Sequence, residues 1–328
     1  MIFSEISGIR CLNLNADHGP TKFVQLKSLN FYADIRTLLG IDENTFVVTG
    51  ATSGYGLHLA TILYQHGGKV YLAARNASKA QSVIDDITRR HPEAKGQLAY
   101  LHLDLGDLST IKKSAEEFLT KESKLHVLWN NAGVMIPPQG STTAQGYELQ
   151  LGTNVIGPFL FTKLLYPALA EAAADSPPNS VRVVWLSSSA VRMAPTPAID
   201  FSNMDYHKDE GAWTKYGRSK AANVLLAVEF ARRSKKDGVA SIVGPLKRIS
   251  FYEALLIQNR RLIRKLVGQR PEVGAYTELF AGLQPDIDPV NSGNWSKSQA
   301  PTGFPYDRFN VSCSCPSGKG GGRSQRPL

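Results

Sequence analysis

The sequence predicts an α/β fold: a doubly wound parallel sheet with helices on both faces, in a single domain. Between Phe46 and Val243, short β-rich runs alternate with longer amphipathic stretches, which is the pattern of repeated βαβ units. A glycine turn follows the first of these runs, and a Tyr with a Lys four positions later lies far downstream. The 328 residues, 42% of them hydrophobic, are enough for one large core.

Six runs rich in Val, Leu, Ile and aromatic residues predict the strands. Each is short and is followed by polar or glycine-containing sequence, as expected for buried parallel strands. The predicted strands are Phe46–Thr49, Lys69–Ala73, Gln97–Leu103, His126–Asn130, Val181–Leu186 and Val239–Val243.

The stretches between these runs have helical periodicity, with apolar residues recurring every three or four positions. A break at Ser176-Pro177-Pro178-Asn179 separates the fourth helix from the next strand. The predicted helices are Leu57–Gln65, Lys79–Arg90, Leu108–Lys121, Phe159–Ala174 and Trp213–Ala231.

The two ends of the chain differ in composition from this central part. Residues 1–40 show little periodicity and are interpreted as an N-terminal appendage, and residues 41–295 as the dinucleotide-binding catalytic domain. Residues 296–328 are rich in Gly, Ser, Pro and Arg, and are predicted to be a disordered tail.

The cysteines and the N-terminal sequence bear on the compartment. Cys11, Cys313 and Cys315 suggest neither a disulfide framework nor a four-ligand zinc site, so we expect free thiols and no metal. The N-terminal 20 residues lack a basic stretch followed by an apolar run, and no segment is expected to span a membrane. The sequence therefore predicts a cytoplasmic protein.

The net charge of +9 is concentrated in one part of the chain. Residues 232–270 contain eleven Lys and Arg against Asp237 and Glu253, which equals the whole excess. Such a stretch can attract a membrane surface, nucleic acid or a phosphorylated cofactor, but most charge runs on helices are solvated faces. We favour the solvated face, and expect no nucleic-acid partner and no stable membrane contact.

The glycine turn is the first candidate binding element. The sequence Thr49-Gly50-Ala51-Thr52-Ser53-Gly54-Tyr55-Gly56 lies where the first strand should give way to a helix. Backbone N–H groups of such a turn can bind a pyrophosphate, whereas the alternative is a tight loop packed against the sheet. The expected cofactor-binding residues here are Gly50, Ser53, Gly54, Tyr55 and Gly56.

The end of the second strand bears on cofactor choice. A carboxylate roughly 20 residues beyond the glycines suits the ribose of NAD, whereas an Arg suits the 2′-phosphate of NADP. Arg75 stands there, and its planar guanidinium can bind a phosphate and stack on adenine. We therefore expect NADP rather than NAD, the alternative being a solvated Arg at a strand end.

Together these features resemble the short-chain dehydrogenase/reductase family, particularly its fungal light-inducible and retinol-dehydrogenase-like members. The resemblance covers about residues 45–240, with a further match over 274–283. It implies a Rossmann-like fold and an oxidoreductase activity, for the fungal members in secondary metabolism. It also implies a homo-oligomer and a hydrophobic carbonyl or alcohol substrate.

The resemblance also assigns residues. Asp104 matches the acidic residue near adenine, and Asn130-Asn131-Ala132-Gly133 matches the motif that steadies the central strand beside the cofactor, with Asn131, Ala132 and Gly133 as binding residues. In Ser187-Ser188-Ser189, Ser188 aligns best with the catalytic Ser, and a shift of one position stays open. The implied catalytic residues are Asn154, Ser188, Tyr216 and Lys220.

The chemistry of this pair is consistent with that assignment. A Tyr with a pKa near 10 needs a nearby positive charge to act at neutral pH, and Lys220 shares a helix face with Tyr216. Tyr216 would protonate a carbonyl oxygen, while Ser188 would bind that oxygen. The resemblance further implies that Tyr216 and Lys220 contact the cofactor and that Asn154 holds a water.

Two segments depart from the family pattern. The sixth strand is followed by Gly244-Pro245, where relatives have a Pro-Gly turn and a Thr for the nicotinamide amide, and Arg248 or a neighbour takes the place of that Thr. After Gly293-Asn294-Trp295, the chain lacks the apolar segment that relatives have. The expected function is thus an NADP(H)-dependent oxidoreductase, with a dinucleotide-binding protein of little or no turnover as the alternative.

Overall fold

The computed structural model of the chain describes residues 44–244 and 271–283. Within these ranges six parallel strands form one sheet in the order β3-β2-β1-β4-β5-β6. This is the strand order of dinucleotide-binding sheets, so the predicted fold class is confirmed. The strands are β1 (Thr45–Thr49), β2 (Lys69–Ala74), β3 (Gln97–His102), β4 (Val127–Asn130), β5 (Arg182–Leu186) and β6 (Ala240–Gly244).

Helices cover both faces of the sheet. Right-handed crossovers place α1 and α2 on one face and α3, α4 and α5 on the other, because the chain reverses its direction across the sheet after β3. The last helix, α6, packs against α1 and so belongs to the first face. The helices are α1 (Gly54–Gln65), α2 (Ala77–Arg90), α3 (Leu108–Lys121), α4 (Gly157–Asp175), α5 (Ala212–Ser234) and α6 (Pro271–Leu283).

All six strands lie within one residue of their predicted bounds. Helix α1 begins three residues before the predicted start, because its first turn contains Gly54 and Gly56, which are weak helix formers and hide that turn from the periodicity. The periodicity also gave no helix for α6, although the family resemblance covers its sequence.

The helical path into α4 begins earlier than predicted, at Leu149, and passes through a π-helical turn, Gly152–Ile156. Residues 149–175 together are long and apolar enough to cross a membrane, which corrects the expectation that no segment comes close to that length. More than half of the most apolar stretch is buried inside the protein. The run therefore has the character of a core helix, whose apolar surface meets the sheet and its neighbours.

Trp129 on β4 joins the core to α6. Its side chain is fully buried and meets Phe46 with ring centroids 5.7 Å apart. Its Nε1 donates to the backbone carbonyl of Glu278 on α6 at 2.9 Å. A Cβ added to Gly282 would collide with the Trp129 ring, so α6 can lie this close only with glycine there.

Arg182, at the start of β5, also binds the C-terminal end of α6. Its side chain is buried and donates from Nη1 to the carbonyl of Ala281 at 3.2 Å and from Nε to that of Asn179 at 2.6 Å. A cation near the last carbonyls of a helix is stabilising. Burial lowers the pKa of Arg182 to about 10, so the side chain is charged at neutral pH.

Part of the basic stretch lies in the structure. Arg232 and Arg233, in the last turn of α5, bind the carboxylate of Glu229 at 2.8 and 2.6 Å, which favours the interpretation as a solvated helix face. The predictions for residues 1–40 and 296–328, the three cysteines and the segment from Pro245 to Arg270 lie outside the described residues. Within the described ranges, no group of three or more His, Cys, Asp or Glu residues is placed to hold a metal ion.

Candidate active site

The glycine turn has a backbone that other residues would strain. Gly50 and Gly54 have φ values of +70° and +58°, which is the left-handed region that glycine adopts at little cost. A Cβ at Gly56 would lie 2.5 Å from Nδ2 of Asn131 and 2.8 Å from the carbonyl oxygen of Gly50. The turn therefore depends on glycine for its conformation and for its contact with β4.

The first N–H groups of α1 are open to a ligand. Ser53 precedes the helix and is exposed, but its side chain makes no capping hydrogen bond, and the first turn contains no acidic residue. Uncapped N–H groups and the positive end of the helix dipole form a site for a phosphate anion. The side chain of Tyr55, the second residue of α1, is half-buried.

Thr49 connects this turn to the end of β4. Its hydroxyl donates to the carbonyl of Trp129 at 3.1 Å and accepts from the backbone N–H of Ala132 at 2.9 Å. Asn131 donates from Nδ2 to the carbonyl of Thr49 at 2.7 Å. These bonds fix Asn131, Ala132 and Gly133 beside the glycine turn, between β1 and β4, where the strand order reverses and such folds bind ligands.

Asn154 lies in the π-helical turn, and only 1% of it is exposed. Its Oδ1 accepts from the N–H of Val134 at 2.8 Å. Its Nδ2 donates to the carbonyl of Val134 at 2.9 Å and to Oγ of Ser219 at 3.1 Å. Both amide hydrogens are thus occupied by protein, so the side chain holds the segment after β4 against α5.

The three consecutive serines after β5 have different surroundings. Ser187 is fully buried and donates to the carbonyl of Lys220 at 2.8 Å. Ser188 is half-buried, accepts from the N–H of Ala190 at 3.2 Å, and its side chain lowers the pKa of Tyr216. Of the two serines, Ser188 is thus the one whose side chain acts on Tyr216, and its assignment as the catalytic serine stays a prediction.

Tyr216 and Lys220 lie one turn apart on α5, and 6% and 3% of their surfaces are exposed. Nζ of Lys220 lies 5.8 Å from the centroid of the Tyr216 ring and donates to the carbonyl of Leu186 at 2.9 Å. Burial raises the pKa of Tyr216 to about 12, although the Ser188 hydrogen bond lowers it. The phenol is therefore protonated at neutral pH.

Arg75 lies just past the end of β2, beside the glycine turn, since the N–H of Gly50 donates to the carbonyl of Ala73 at 2.8 Å. Its side chain is exposed and makes no hydrogen bond or ion pair with another described residue. The next residue, Asn76, caps α2 by accepting from the N–H of Lys79 at 2.8 Å. The first turn of α2 has no acidic residue, so this corner is positively polarised.

Asp104 lies beyond the end of β3 and is half-buried. Its Oδ1 accepts from the N–H of Gly106 at 2.9 Å, and this turn precedes α3. The predicted adenine-side and catalytic residues thus all lie at the carboxyl edge of one sheet, with Asp104 on the side of β3 and Tyr216 on the side of β5.

Sequence reasoning gave no role to Thr49, Ser219 or Glu278. Thr49 binds the backbone of Ala132 and Ser219 binds the side chain of Asn154, and these partners lie more than sixty residues away in sequence. Glu278 is a buried acidic side chain on α6. An acidic residue within the mostly small or apolar sequence of residues 274–283 was the available signal.

A glycine turn before an uncapped helix N-terminus, on the same sheet edge as a Ser, a Tyr and a Lys, is an arrangement typical of nucleotide-dependent oxidoreductases. The family model for short chain dehydrogenases matches residues 44–244, and the chain belongs to this family of oxidoreductases. It is 60% identical over 245 residues to the short-chain dehydrogenase/reductase pkfC of Emericella nidulans, covering 74% of this chain and 78% of that protein. A short-chain dehydrogenase/reductase of Phomopsis amygdali is 47% identical, with 80% of each chain covered.

Solved structures give the same architecture. An uncharacterized protein from Mycobacterium paratuberculosis is 28% identical, with a TM-score of 0.57 over 74% of this chain and 78% of that chain. An Escherichia coli short chain dehydrogenase complexed with NADPH is 20% identical, with a TM-score of 0.56 over 79% of this chain and 96% of that chain. The second likeness is one of fold.

Proposed function

We propose that the protein is an NADP(H)-dependent oxidoreductase that transfers hydride between the nicotinamide and a ketone, aldehyde or secondary alcohol. One observation carries this proposal: Tyr216 and Lys220 lie one turn apart on α5, with Nζ of Lys220 5.8 Å from the Tyr216 ring centroid, on the sheet edge that also holds Ser188 and the glycine turn. A proton donor, an oxyanion-binding hydroxyl and a cation are thus grouped next to a dinucleotide site.

The residues divide the work of carbonyl reduction. Bound NADPH would supply the hydride. Tyr216 donates its proton to the carbonyl oxygen, since burial keeps the phenol protonated, and Ser188 donates a hydrogen bond to the same oxygen. Lys220 has three N–H donors and uses one on Leu186, which leaves two for the hydroxyls of the nicotinamide ribose.

The preference for NADP rests on the corner around Arg75. The guanidinium of Arg75 is exposed, and the first turn of α2 contains no acidic residue. Both features offer positive charge where the adenosine ribose would lie. Asp104, on the neighbouring strand end, uses one carboxylate oxygen on Gly106. Solved proteins of this fold bind NADP or NADPH, which is compatible with the proposal.

Apolar side chains beside Tyr216 favour a hydrophobic substrate. Trp213 is 36% exposed, and its ring lies edge-on to that of Tyr216 with centroids 6.4 Å apart. Met135, two residues after Gly133, is 52% exposed. Large apolar groups exposed near a reactive hydroxyl are typical of a binding surface for an apolar ligand.

The test is fluorescence titration of the full-length protein with NADPH and NADH, followed at saturation by absorbance decay with a panel of apolar ketones and aldehydes. Tighter binding of NADPH and decay on at least one carbonyl would support the proposal. Binding without decay on any member of the panel would instead favour a dinucleotide-binding protein without turnover. Absence of binding would overturn both.

A further inference from the structure

Glu278 is a buried carboxyl group with no part in the proposed reaction. It lies on α6, is 2% exposed, and its Oε2 has no hydrogen-bond partner within the described residues. Burying a carboxyl group without a partner costs free energy. Glu278 therefore destabilises the fold unless its charge interacts favourably with a nearby group.

The carboxyl group lies against the end of β6. A Cβ added to Gly244 would be 2.7 Å from its Oε1 and 2.9 Å from its Oε2. Gly244 is paired in the sheet with Leu186, whose carbonyl oxygen accepts from Nζ of Lys220 at 2.9 Å. Because neighbouring strands are about 4.8 Å apart, the carboxyl group and the ammonium group lie over the ends of adjacent strands.

The two side chains reach this place from opposite faces of the sheet. Lys220 comes from α5, and Glu278 comes from α6, whose backbone is fixed at this residue by the hydrogen bond from Trp129. Among the described residues, no carboxylate forms a direct ion pair with Lys220. Glu278 is the acidic group whose field acts on it.

The electrostatics agree with this geometry. Burial lowers the pKa of Lys220, and the charge of Glu278 raises it again in part. Burial likewise raises the pKa of Glu278, and Lys220 lowers it in part. The other titratable neighbours in the described ranges are Tyr55 on α1, whose pKa Glu278 raises, and Tyr216 on α5, which Tyr55 influences.

We propose that Glu278 is a positioning residue for Lys220, and that its carboxylate keeps the buried lysine protonated across the ends of β5 and β6. The functional consequence rests on the proposed function, in which a charged Lys220 binds the ribose and supports Tyr216. Without the carboxylate, Lys220 loses its proton at a lower pH. The alkaline limb of the rate profile then moves to lower pH.

The experiment uses three carboxylate variants of the full-length protein. Glu278→Gln removes the charge, Glu278→Asp retains it, and Glu229→Gln removes a carboxylate from the surface ion pairs of α5. We expect Glu278→Gln to move the alkaline limb of kcat, measured between pH 6 and 10, to lower pH by about one unit. Glu278→Asp should keep the alkaline limb close to its pH in the original protein, because the charge is retained. Glu229→Gln should leave the limb in place.

A second measurement needs neither cofactor nor substrate. Urea unfolding at pH 7, 8 and 9 is measured for the original protein, Glu278→Gln, Lys220→Met and the double variant, because burial raises the pKa of Glu278. If the two groups are coupled, Glu278→Gln destabilises the protein in the presence of Lys220 and much less in its absence. This cycle needs no turnover, so it reports the coupling even if the protein reduces no carbonyl. A failure of the proposed function can therefore be told apart from a failure of the coupling between Glu278 and Lys220.

Equal effects of Glu278→Gln in the two backgrounds, together with an unmoved alkaline limb, would overturn the proposal. Should Glu278→Gln fail to fold, Gly244→Ala takes its place. The added Cβ displaces the carboxyl group from the end of β6 without removing its charge. The same shift of the limb is expected from that variant, and an unchanged limb counts against the proposal.

Discussion

The two halves of the sheet edge are built by different means. Beside β1 and β2, positions are set by the backbone: Gly50 and Gly54 adopt left-handed conformations, and Gly56 leaves room for Asn131. Beside β4 and β5, positions are set by side chains, such as that of Asn154, which binds both Val134 and Ser219. In the proposed function, the first half would arrange N–H groups around the dinucleotide, and the second would arrange proton donors around the reacting carbonyl.

This difference means that binding and turnover can be separated by substitution. A side chain added in the glycine half should block the dinucleotide, whereas a hydroxyl removed from the serine and tyrosine half should leave binding in place. The four predictions below test that separation, in order of decreasing effect.

Replacing Tyr216 with Phe removes the proton donor and keeps the ring that packs beside Trp213. We expect kcat to fall about 1,000-fold, because general acid catalysis is typically worth 100-fold to 10,000-fold. The dissociation constant for NADPH should stay within about twofold, since only the phenolic hydroxyl is lost. Steady-state kinetics and fluorescence titration measure the two, and a variant with full activity would remove Tyr216 from the reaction.

The neighbouring serines provide a matched pair. Ser188→Ala should lower kcat about 100-fold, because one oxyanion-binding donor is lost. Ser187→Ala removes a buried hydrogen bond to Lys220 and should lower the free energy of unfolding by about 1 kcal/mol with most activity kept. Kinetics and urea unfolding of both variants check this, and the reverse pattern would show that the reacting serine is Ser187.

In the glycine half, Gly56→Ala places a methyl group against Nδ2 of Asn131 and the carbonyl of Gly50. We expect NADPH affinity to fall by at least about tenfold, since the turn and the N-terminus of α1 must shift. Gly211→Ala is the control, because its Cβ would meet no atom within 4 Å. Equal affinities of the two variants would contradict a role for close backbone approach.

The smallest effect is expected at the cofactor-selecting corner. Arg75→Asp should weaken the binding of NADPH about tenfold more than that of NADH, because a negative charge replaces the side chain proposed to bind the 2′-phosphate. Arg89 is an exposed residue at the far end of α2, and Arg89→Asp should change the affinities for NADPH and NADH by the same factor. If Arg75→Asp also reduces both affinities alike, Arg75 does not read the phosphate.

The glycine half could be predicted from the sequence, because its conformation depends on residues that are close together along the chain. The conformations of Gly50 and Gly54 and the start of α1 follow from residues within one turn of each other. The strands were equally accessible, because parallel strands buried on both faces are continuous apolar runs. In this half, the sequence pattern missed the first turn of α1, because its glycines weaken the helical periodicity.

The catalytic half was predicted as a set of residues but not as a set of contacts. Nothing local indicates that the amide of Asn154 is held by Val134 and Ser219, or that Ser187 rather than Ser188 binds Lys220. Helix α6 was missed for a related reason. Its packing depends on Gly282 against Trp129 and on Arg182 at its end, and both partners are about one hundred residues or more away in sequence.

The anchoring of α6 ties the helix that carries Glu278 to the middle of the sheet. Trp129 and Arg182 hold the backbone of α6 at Glu278 and Ala281, near its C-terminal end, while Gly244 is held in register with Leu186. The carboxyl group of Glu278 is thus kept at the end of β6 by residues that lie on β4 and β5. A substitution at Trp129 or Arg182 is therefore expected to change the charge balance of the site without altering any residue in it.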